Sequence, residues 1–210
     1  MKKIFLSLVL CSFVGAMFAQ GAKFGITAGL NTSTVNTNNT EGAKVGYKAG
    51  FQAGVVMDLG ITPNFSVIPE LNFSQKGAKI SFDEGEKVDW NMTLNYLTLP
   101  INLAYKFDLG MDQKFMIFAG PYLGYGLSTS NKMKGGGIEI DPSEYGFDMK
   151  FGSTDEDLNP LDYGLNVGIG YQYTKIFFKL QYNLGLANLS RYEGDSMKNS
   201  NVAVTVGYMF

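Results

Sequence analysis

The last ten residues, NVAVTVGYMF (201–210), determine the fold class through their strict alternation of side chains. One parity holds Val202, Val204, Val206, Tyr208 and Phe210, and the other holds Ala203, Thr205, Gly207 and Met209. Successive side chains of a β-strand point to opposite faces. The segment therefore predicts a strand with one apolar face and one face of mainly small or polar residues.

The same alternation recurs upstream in segments separated by polar, Gly-rich or Asp-rich stretches. These segments are residues 24–31, 47–59, 65–76, 96–107, 115–131, 163–173 and 175–186. In residues 163–173 the apolar parity is entirely Tyr, Leu, Val and Ile, whereas the other parity is Gly, Asn and Gln. With the terminal segment, the pattern predicts an all-β protein of about eight strands.

The composition of the second face indicates a membrane barrel. A soluble sandwich would expose charged side chains on that face, but here it carries Gly, Asn, Gln and Thr with only scattered charges. A small barrel needs small and polar residues inside, and an outer-membrane barrel carries apolar residues outside with aromatic residues near the strand ends. An open sheet edge cannot be satisfied in lipid. We therefore expect a closed antiparallel up-and-down transmembrane β-barrel in the outer membrane.

The lengths of the connections predict the topology. Short links (59–65, 107–115 and 173–176) alternate with long ones (32–44, 77–92, 130–161 and 188–198). Short periplasmic turns and long external loops are typical of outer-membrane barrels, with both chain ends in the periplasm.

Residues 115–131 allow a second interpretation, because they carry no charge and resemble a membrane helix in composition. Gly120, Pro121, Gly124 and Gly126 disfavour a helix in water, although they weigh less against a helix in lipid. The parity of the segment favours a strand.

The N-terminus predicts a signal peptide over residues 1–19, followed by a barrel domain over residues 20–210. Lys2 and Lys3 precede an uncharged apolar run from residue 4 to residue 18, and Ala19 marks the expected cleavage site. A transmembrane helix is the alternative, but about 15 apolar residues are short for a span. Lipidation at Cys11 is disfavoured because Leu10, directly before it, is not small. We expect export through the inner membrane and removal of the signal.

Composition excludes several classes of chemistry. The chain has no histidine, which removes Ser-His-Asp and Cys-His catalysis and His-ligated zinc. The net charge of −2 argues against a nucleic-acid partner. A phosphate-binding Gly-Lys-Ser/Thr loop is absent, and the Gly-Tyr-Gly at 124–126 lacks the Thr-Val that precedes it in potassium filters. We predict no enzyme activity, no cofactor and no bound metal.

The predicted lumen charges are Lys48, Glu70, Lys106 and Lys179, which all lie on the predicted inner face. Interior charges must be paired, so the sequence predicts that Glu70 contacts one or more of these lysines in a plugged barrel. The alternative is an ion path or a ligand site.

Two further sites are suggested by the sequence. Asp155, Glu156, Asp157 and Asp162 offer hard oxygen ligands for calcium, but their spacing does not match an EF-hand, and a solvated acidic loop is favoured.

Phe210 ends the chain on the lipid-facing parity and resembles the terminal signal that outer-membrane assembly machinery reads in many barrels. Simple hydrophobic termination is the alternative.

Several stretches resemble the PorT-like outer-membrane β-barrel family, also described as the outer membrane protein β-barrel domain. They are FGITAGLN (24–31), PELNFSQKGAK (69–79), NYLTLPINLAYKF (95–107), AGPYLGYGLS (119–128), DYGLNVGIGYQY (162–173), YNLGLANL (182–189) and the final Phe210. The resemblance covers the expected mature chain in order and implies an outer-membrane barrel of unassigned activity. The family takes its name from a member linked to a secretion system, and a shared barrel does not transfer that role.

The favoured function is a structural or surface-interaction barrel with long external loops. A narrow solute channel, an accessory component of a secretion system and a soluble exported β-barrel are the alternatives. A membrane enzyme would need a mechanism without histidine. The expected partners are outer-membrane lipid and the assembly machinery, together with an extracellular or periplasmic partner whose identity the sequence does not give.

Overall fold

The computed structural model describes residues 21–38, 43–82, 88–135, 138–140, 150–154, 157–192 and 194–210. The described residues form ten strands: β1 (Lys23–Thr37), β2 (Ala43–Gly46), β3 (Lys48–Gly60), β4 (Phe65–Phe82), β5 (Val88–Gly110), β6 (Gln113–Gly135), β7 (Ile138–Ile140), β8 (Leu161–Tyr173), β9 (Ile176–Gly185) and β10 (Met197–Met209). The expected signal peptide lies outside the described residues, and its removal stays a prediction.

Eight of these strands close into an antiparallel ring in the order β1, β3, β4, β5, β6, β8, β9 and β10. The ring closes where β10 pairs with β1, from Gly25 opposite Met209 to Thr37 opposite Met197. The short β2 extends the wall beside β4, and β7 pairs with β6. This architecture confirms the all-β up-and-down barrel of about eight strands predicted from the alternation.

The connections distinguish the two ends of the barrel. At the short-turn end, residues 61–64, 111–112 and 174–175 join neighbouring strands, and the first and last strands of the ring begin and end there. Met111 and Asp112 both have positive φ, at 51° and 58°, as a tight two-residue hairpin turn requires. The connections β1–β3, β4–β5, β6–β8 and β9–β10 lie at the opposite end, which we call the long-loop end.

Several strands are longer than the sequence predicted, and the loops are correspondingly shorter. Residues 32–37, 77–82 and 130–135 were expected in loops but continue β1, β4 and β6. About 9–11 residues cross a bilayer, whereas β5 and β6 each have 23. Beyond the membrane, strand pairing needs only backbone hydrogen bonds. The outward side chains there are polar, so the apolar alternation that predicts a strand is absent.

The outer wall is an apolar belt. On β5 the outward side chains Leu97, Leu99, Ile101 and Leu103 are all exposed, and the other strands of the ring repeat the pattern. Such a continuous exposed apolar surface far exceeds what a soluble monomer carries. The belt is the surface expected to face lipid.

Aromatic side chains bound this belt at both ends. At the short-turn end Tyr105 packs against Phe65 and Phe107, with ring centroids 4.8 and 4.7 Å apart. On β8, Tyr163 and Tyr173 mark the two ends of the belt. Ten residues separate them, or about 33 Å along the strand, which a tilt of about 40° projects to about 25 Å. That height matches the apolar band of outer-membrane barrels.

Residues 115–131 lie within β6, so the strand interpretation of this segment is correct. In the described part of the chain, no helix is long and apolar enough to cross a membrane.

Candidate functional site in the barrel lumen

Among the described residues, three ion pairs lie inside the barrel, and each joins strands that are not neighbours in the ring. Glu70 contacts Lys179, Asp58 contacts Lys106, and the Lys76 Nζ lies 2.9 Å from the Asp162 Oδ2. Both side chains of the Lys76–Asp162 pair are almost fully buried, with 1% and 0% exposure. The three cations balance the three anions, so these pairs add no net charge to the lumen.

The predicted lumen residues differ in their contacts. Glu70 and Lys179 are brought together. Lys106, by contrast, pairs with Asp58 rather than Glu70. Lys48 is half-buried, and no carboxylate of the described residues lies within ion-pair distance of it. The expectation that one or more of the three lysines contact Glu70 therefore holds for Lys179 alone.

Asp58, Lys76 and Asp162 were not among the predicted lumen charges, although parity contained a signal for each. Asp58 and Lys76 share the inward parity of their strands, and both are buried. Asp162 has the same parity as Gly164 and Asn166 on β8, but the sequence assigned it to an acidic loop because the recognised strand began at residue 163. The structure corrects that assignment, because Asp162 is fully buried in the lumen.

A polar and aromatic cluster surrounds the Lys76–Asp162 pair. Tyr122 donates its hydroxyl to Asp162 Oδ1 at 3.1 Å, and the Asn199 side-chain amide donates to Asp162 Oδ2 at 2.9 Å. The Lys76 ammonium lies 4.7 Å from the ring centroid of Tyr122 and 5.3 Å from that of Tyr96. A carboxylate and two aromatic faces thus hold one buried cation, which favours a fixed plug over a mobile charge.

Glu70 and Lys179 have their own supporting contacts. Asn72 donates its amide to Glu70 Oε2 at 3.2 Å and accepts a hydrogen bond from the Thr27 hydroxyl at 3.3 Å. The Lys179 ammonium lies 5.7 Å from the ring centroid of Phe177 and 5.9 Å from that of Phe118.

In the part of the chain that the structure describes, two apolar clusters border the polar lumen along the barrel. The short-turn plug consists of Val56, Ile68, Ala104, Met116, Phe118, Phe177 and Met209, and the long-loop plug consists of Val35, Ala78, Met92, Leu94, Tyr96, Leu158 and Leu189. Glycines on the inner face make room for the large rings. A Cβ on Gly207 would lie 2.1 Å from Phe177 Cζ, and one on Gly168 would lie 2.4 Å from Phe118 Cζ.

Two long loops contribute to the long-loop plug. Leu158, which precedes β8, and Leu189, which follows β9, bury their side chains in this plug. The Asn159 backbone donates to Leu189 O at 2.9 Å, and Arg191 donates from its guanidinium to Gly152 O at 2.8 Å. These contacts fix the two loops to each other above the lumen.

Of the four proposed calcium ligands, the structure describes only Asp157 and Asp162, which have separate partners. Asp155 and Glu156 lie outside the described residues, Asp162 belongs to the lumen, and Asp157 Oδ2 accepts a hydrogen bond from the Thr154 backbone at 3.1 Å. Hydrogen bonds from Thr154 lower the pKa of the Asp157 carboxyl. The described residues contain no group of three or more Asp, Glu, Cys or His side chains arranged for a metal.

Phe210 lies on the outer wall beside the seam that closes the barrel. Its backbone donates to Phe24 O at 2.8 Å, its side chain is 68% exposed, and its ring centroid is 5.7 Å from that of Tyr208.

A closed ring with an apolar outer belt, two aromatic boundaries and ion pairs across the lumen defines a transmembrane β-barrel of the outer-membrane type. The family model described as "Outer membrane protein beta-barrel domain" matches residues 18–191. The chain belongs to this family, and outer-membrane localisation follows from that membership. A comparison with curated proteins found no significant match.

Solved structures share the architecture at low sequence identity. Neisserial surface protein A is 13% identical, with 90% of this chain and 99% of that chain covered and a TM-score of 0.50. OprG from Pseudomonas aeruginosa is 13% identical over 90% and 96% of the two chains, with a TM-score of 0.49. PagL, described as an outer-membrane enzyme, is 12% identical over 86% and 98%, with a TM-score of 0.43. At 13% identity, the similarity to neisserial surface protein A supports the fold alone.

Proposed function

We propose that this protein is a non-conducting, non-enzymatic outer-membrane barrel whose long-loop end has a structural or surface-interaction role. The observation that carries the proposal is the lumen, which three cross-barrel ion pairs bridge and two apolar clusters border. An eight-stranded barrel is just wide enough for its own side chains to fill. A barrel filled in this way serves as a rigid support for its loops.

The narrow-channel alternative requires a continuous polar path. Such a path would have to cross Phe118 and Phe177 at one end and Leu94, Tyr96 and Leu189 at the other, all of them buried. Moving the cross-barrel ion pairs aside would also leave charges without partners, at a cost of several kcal/mol each.

The remaining parts of the proposal concern export and partners. The N-terminal signal and its removal after Ala19 rest on the sequence pattern of residues 1–19. Contact with outer-membrane lipid rests on the apolar outward parity of the strands. Recognition by the assembly machinery rests on the position of Phe210. The narrower PorT-like identity rests on the six quoted motifs. We assign no secretion role from it, and the absence of histidine supports a non-enzymatic role.

The proposal is tested by cell fractionation and by planar-bilayer recording. We expect the mature protein in the outer membrane with heat-modifiable gel mobility, and we expect purified protein to insert without stepwise currents. Recovery in the soluble periplasmic fraction would favour the soluble exported barrel.

A matched pair of variants makes the electrical test specific. Lys179→Glu reverses a lumen charge, whereas Lys175→Glu reverses an exposed charge at the short-turn end. A channel would give discrete currents in the wild type, with an ion selectivity that changes in Lys179→Glu but not in Lys175→Glu. That result would overturn the proposal.

A further inference from the structure

An apolar groove crosses the outer wall of the barrel. It has a volume of about 680 Å³ and lies over β5, β6, β8 and β9. Its lining includes Leu103, Tyr105, Ile117, Ala119, Ile169 and Tyr182. The volume falls within the roughly 300–1,000 Å³ of sites for small apolar ligands.

Strand register explains why the groove forms. One row of outward residues runs across five consecutive strands through Leu103, Ala119, Val167, Tyr182 and Val202. A second row runs through Tyr105, Ile117, Ile169 and Leu180. The groove lies between these rows, and Ala119 is the smallest side chain in either row.

The groove is continuous with the apolar belt, so acyl chains are the medium that surrounds it. The first row spans four strand spacings, or about 19 Å at about 4.8 Å per spacing. One leaflet contributes about 15 Å, half of the roughly 30 Å hydrocarbon core. The groove is therefore long enough for most of a single acyl chain.

The two ends of the groove differ. One end begins at Phe65 and Tyr105, which belong to the aromatic boundary of the short-turn end. The other end stops at Tyr182 and Val202, where the Tyr182 hydroxyl is already hydrogen-bonded to the Ser200 Oγ at 2.7 Å. A chain can therefore enter from the short-turn interface, and the far end offers no free polar group for a headgroup.

We propose that the groove binds one acyl chain of a phospholipid from the leaflet at the short-turn end. This inference rests on the proposed membrane location but is independent of whether the lumen conducts. Ala119 provides the space for the chain. Dispersion contacts along the two rows offset the entropy lost when the chain is ordered.

The test measures phospholipid retained by purified full-length protein after extensive detergent exchange, using native mass spectrometry. We expect the wild type to retain a single phospholipid. Ala119→Phe fills the groove and should lower this retention about tenfold, which corresponds to about 1.4 kcal/mol. Ala53→Phe is the matched control, because Ala53 is an exposed residue of β3, outside the groove lining, and should leave retention unchanged.

A second measurement does not depend on any variant folding. A phospholipid with a photoreactive acyl chain, reconstituted with the wild type, should crosslink mainly to β5, β6 and β8 rather than to β1 and β3. Loss of all lipid from the wild type, equal retention by both variants, retention of lipopolysaccharide instead, or uniform crosslinking around the wall would each overturn the proposal. Heat-modifiable mobility in the same samples reports the membrane fold separately.

Discussion

Glu70 of β4 and Lys179 of β9 form an ion pair across the full width of the barrel, because their strands occupy opposite positions in the ring of eight. Lys76 of β4 likewise reaches Asp162 of β8, three positions away. These contacts tie opposite walls together without any hydrogen bond of the sheet. The coupling energy of each pair can be measured by removing its two members singly and together.

The first prediction is a strong energetic coupling between Glu70 and Lys179. Glu70→Gln and Lys179→Met should each lower the free energy of unfolding by about 3–5 kcal/mol, because each leaves a buried charge without its partner. The double variant should cost less than the sum of the two. Urea unfolding in lipid vesicles measures all four proteins.

The comparison cycle combines Glu70→Gln with Lys106→Met. Its coupling should be much smaller, because Lys106 pairs with Asp58. Equal coupling in both cycles would contradict the pairing observed in the lumen.

The second prediction concerns Asp162, which accepts hydrogen bonds from Tyr122 and Asn199 as well as pairing with Lys76. Asp162→Asn should destabilise the barrel by about 3–5 kcal/mol, because the Lys76 charge stays buried. Asp89→Asn is the control, since Asp89 pairs with Lys79 at 3.0 Å on a more exposed part of the wall. The loss there should be below about 1 kcal/mol. Similar losses in the two variants would contradict a special role for burial.

The third prediction concerns the pH dependence of the described loop residues 150–154 and 157–158. Hydrogen bonds from Thr154 depress the pKa of Asp157 in the folded loop. The stabilisation is therefore fully present above the unfolded value of about 3.9 and is lost as the pH falls through the lower folded pKa. Hydrogen exchange of the Thr154 and Leu158 amides should accelerate relative to the barrel strands in this acidic range.

Asp157→Asn provides the matched control for that measurement. The asparagine carbonyl can still accept from the Thr154 backbone but does not titrate. Its loop should lose the pH dependence, and an unchanged pH profile in this variant would assign the effect to another group.

The fourth prediction tests Phe210 as an assembly signal. Phe210→Ala removes one exposed aromatic side chain, so refolding of purified protein should change modestly. In cells, the level of folded barrel should fall by more than that stability change explains. Tyr208→Ala is the control, because it removes a neighbouring outward aromatic residue without altering the chain end. Normal cellular levels of folded Phe210→Ala would refute the signal.

The fifth prediction tests closure of the ring. Deleting residues 202–210 removes most of β10, including the register from Gly25 to Thr32 with β1. The exposed edges cannot be satisfied in lipid, so the barrel should fail to form both in vitro and in cells. A stable, membrane-inserted protein without these residues would show that closure does not depend on β10.

The extent of each strand beyond the membrane could be predicted only in part. In residues 97–107, outward apolar side chains form part of the belt, and the alternation locates β5 there correctly. In residues 88–95 the outward side chains include Asn91, Thr93 and Asn95, and the apolar signal disappears although pairing with β6 continues. Hydropathy reports the surrounding medium, whereas strand pairing depends on the backbone.

The sequence by itself determined the eight strands, the closure of the sheet and the inward parity of Glu70, Lys106 and Lys179, because side-chain alternation has a period of two and lipid tolerates no open edge. Only the tertiary structure decided which charged residues of the lumen pair with each other. Parity gives the face of a residue but not its height in the lumen or its position around the ring. Those depend on the register of every intervening strand, and they bring Glu70 to Lys179 rather than to Lys106.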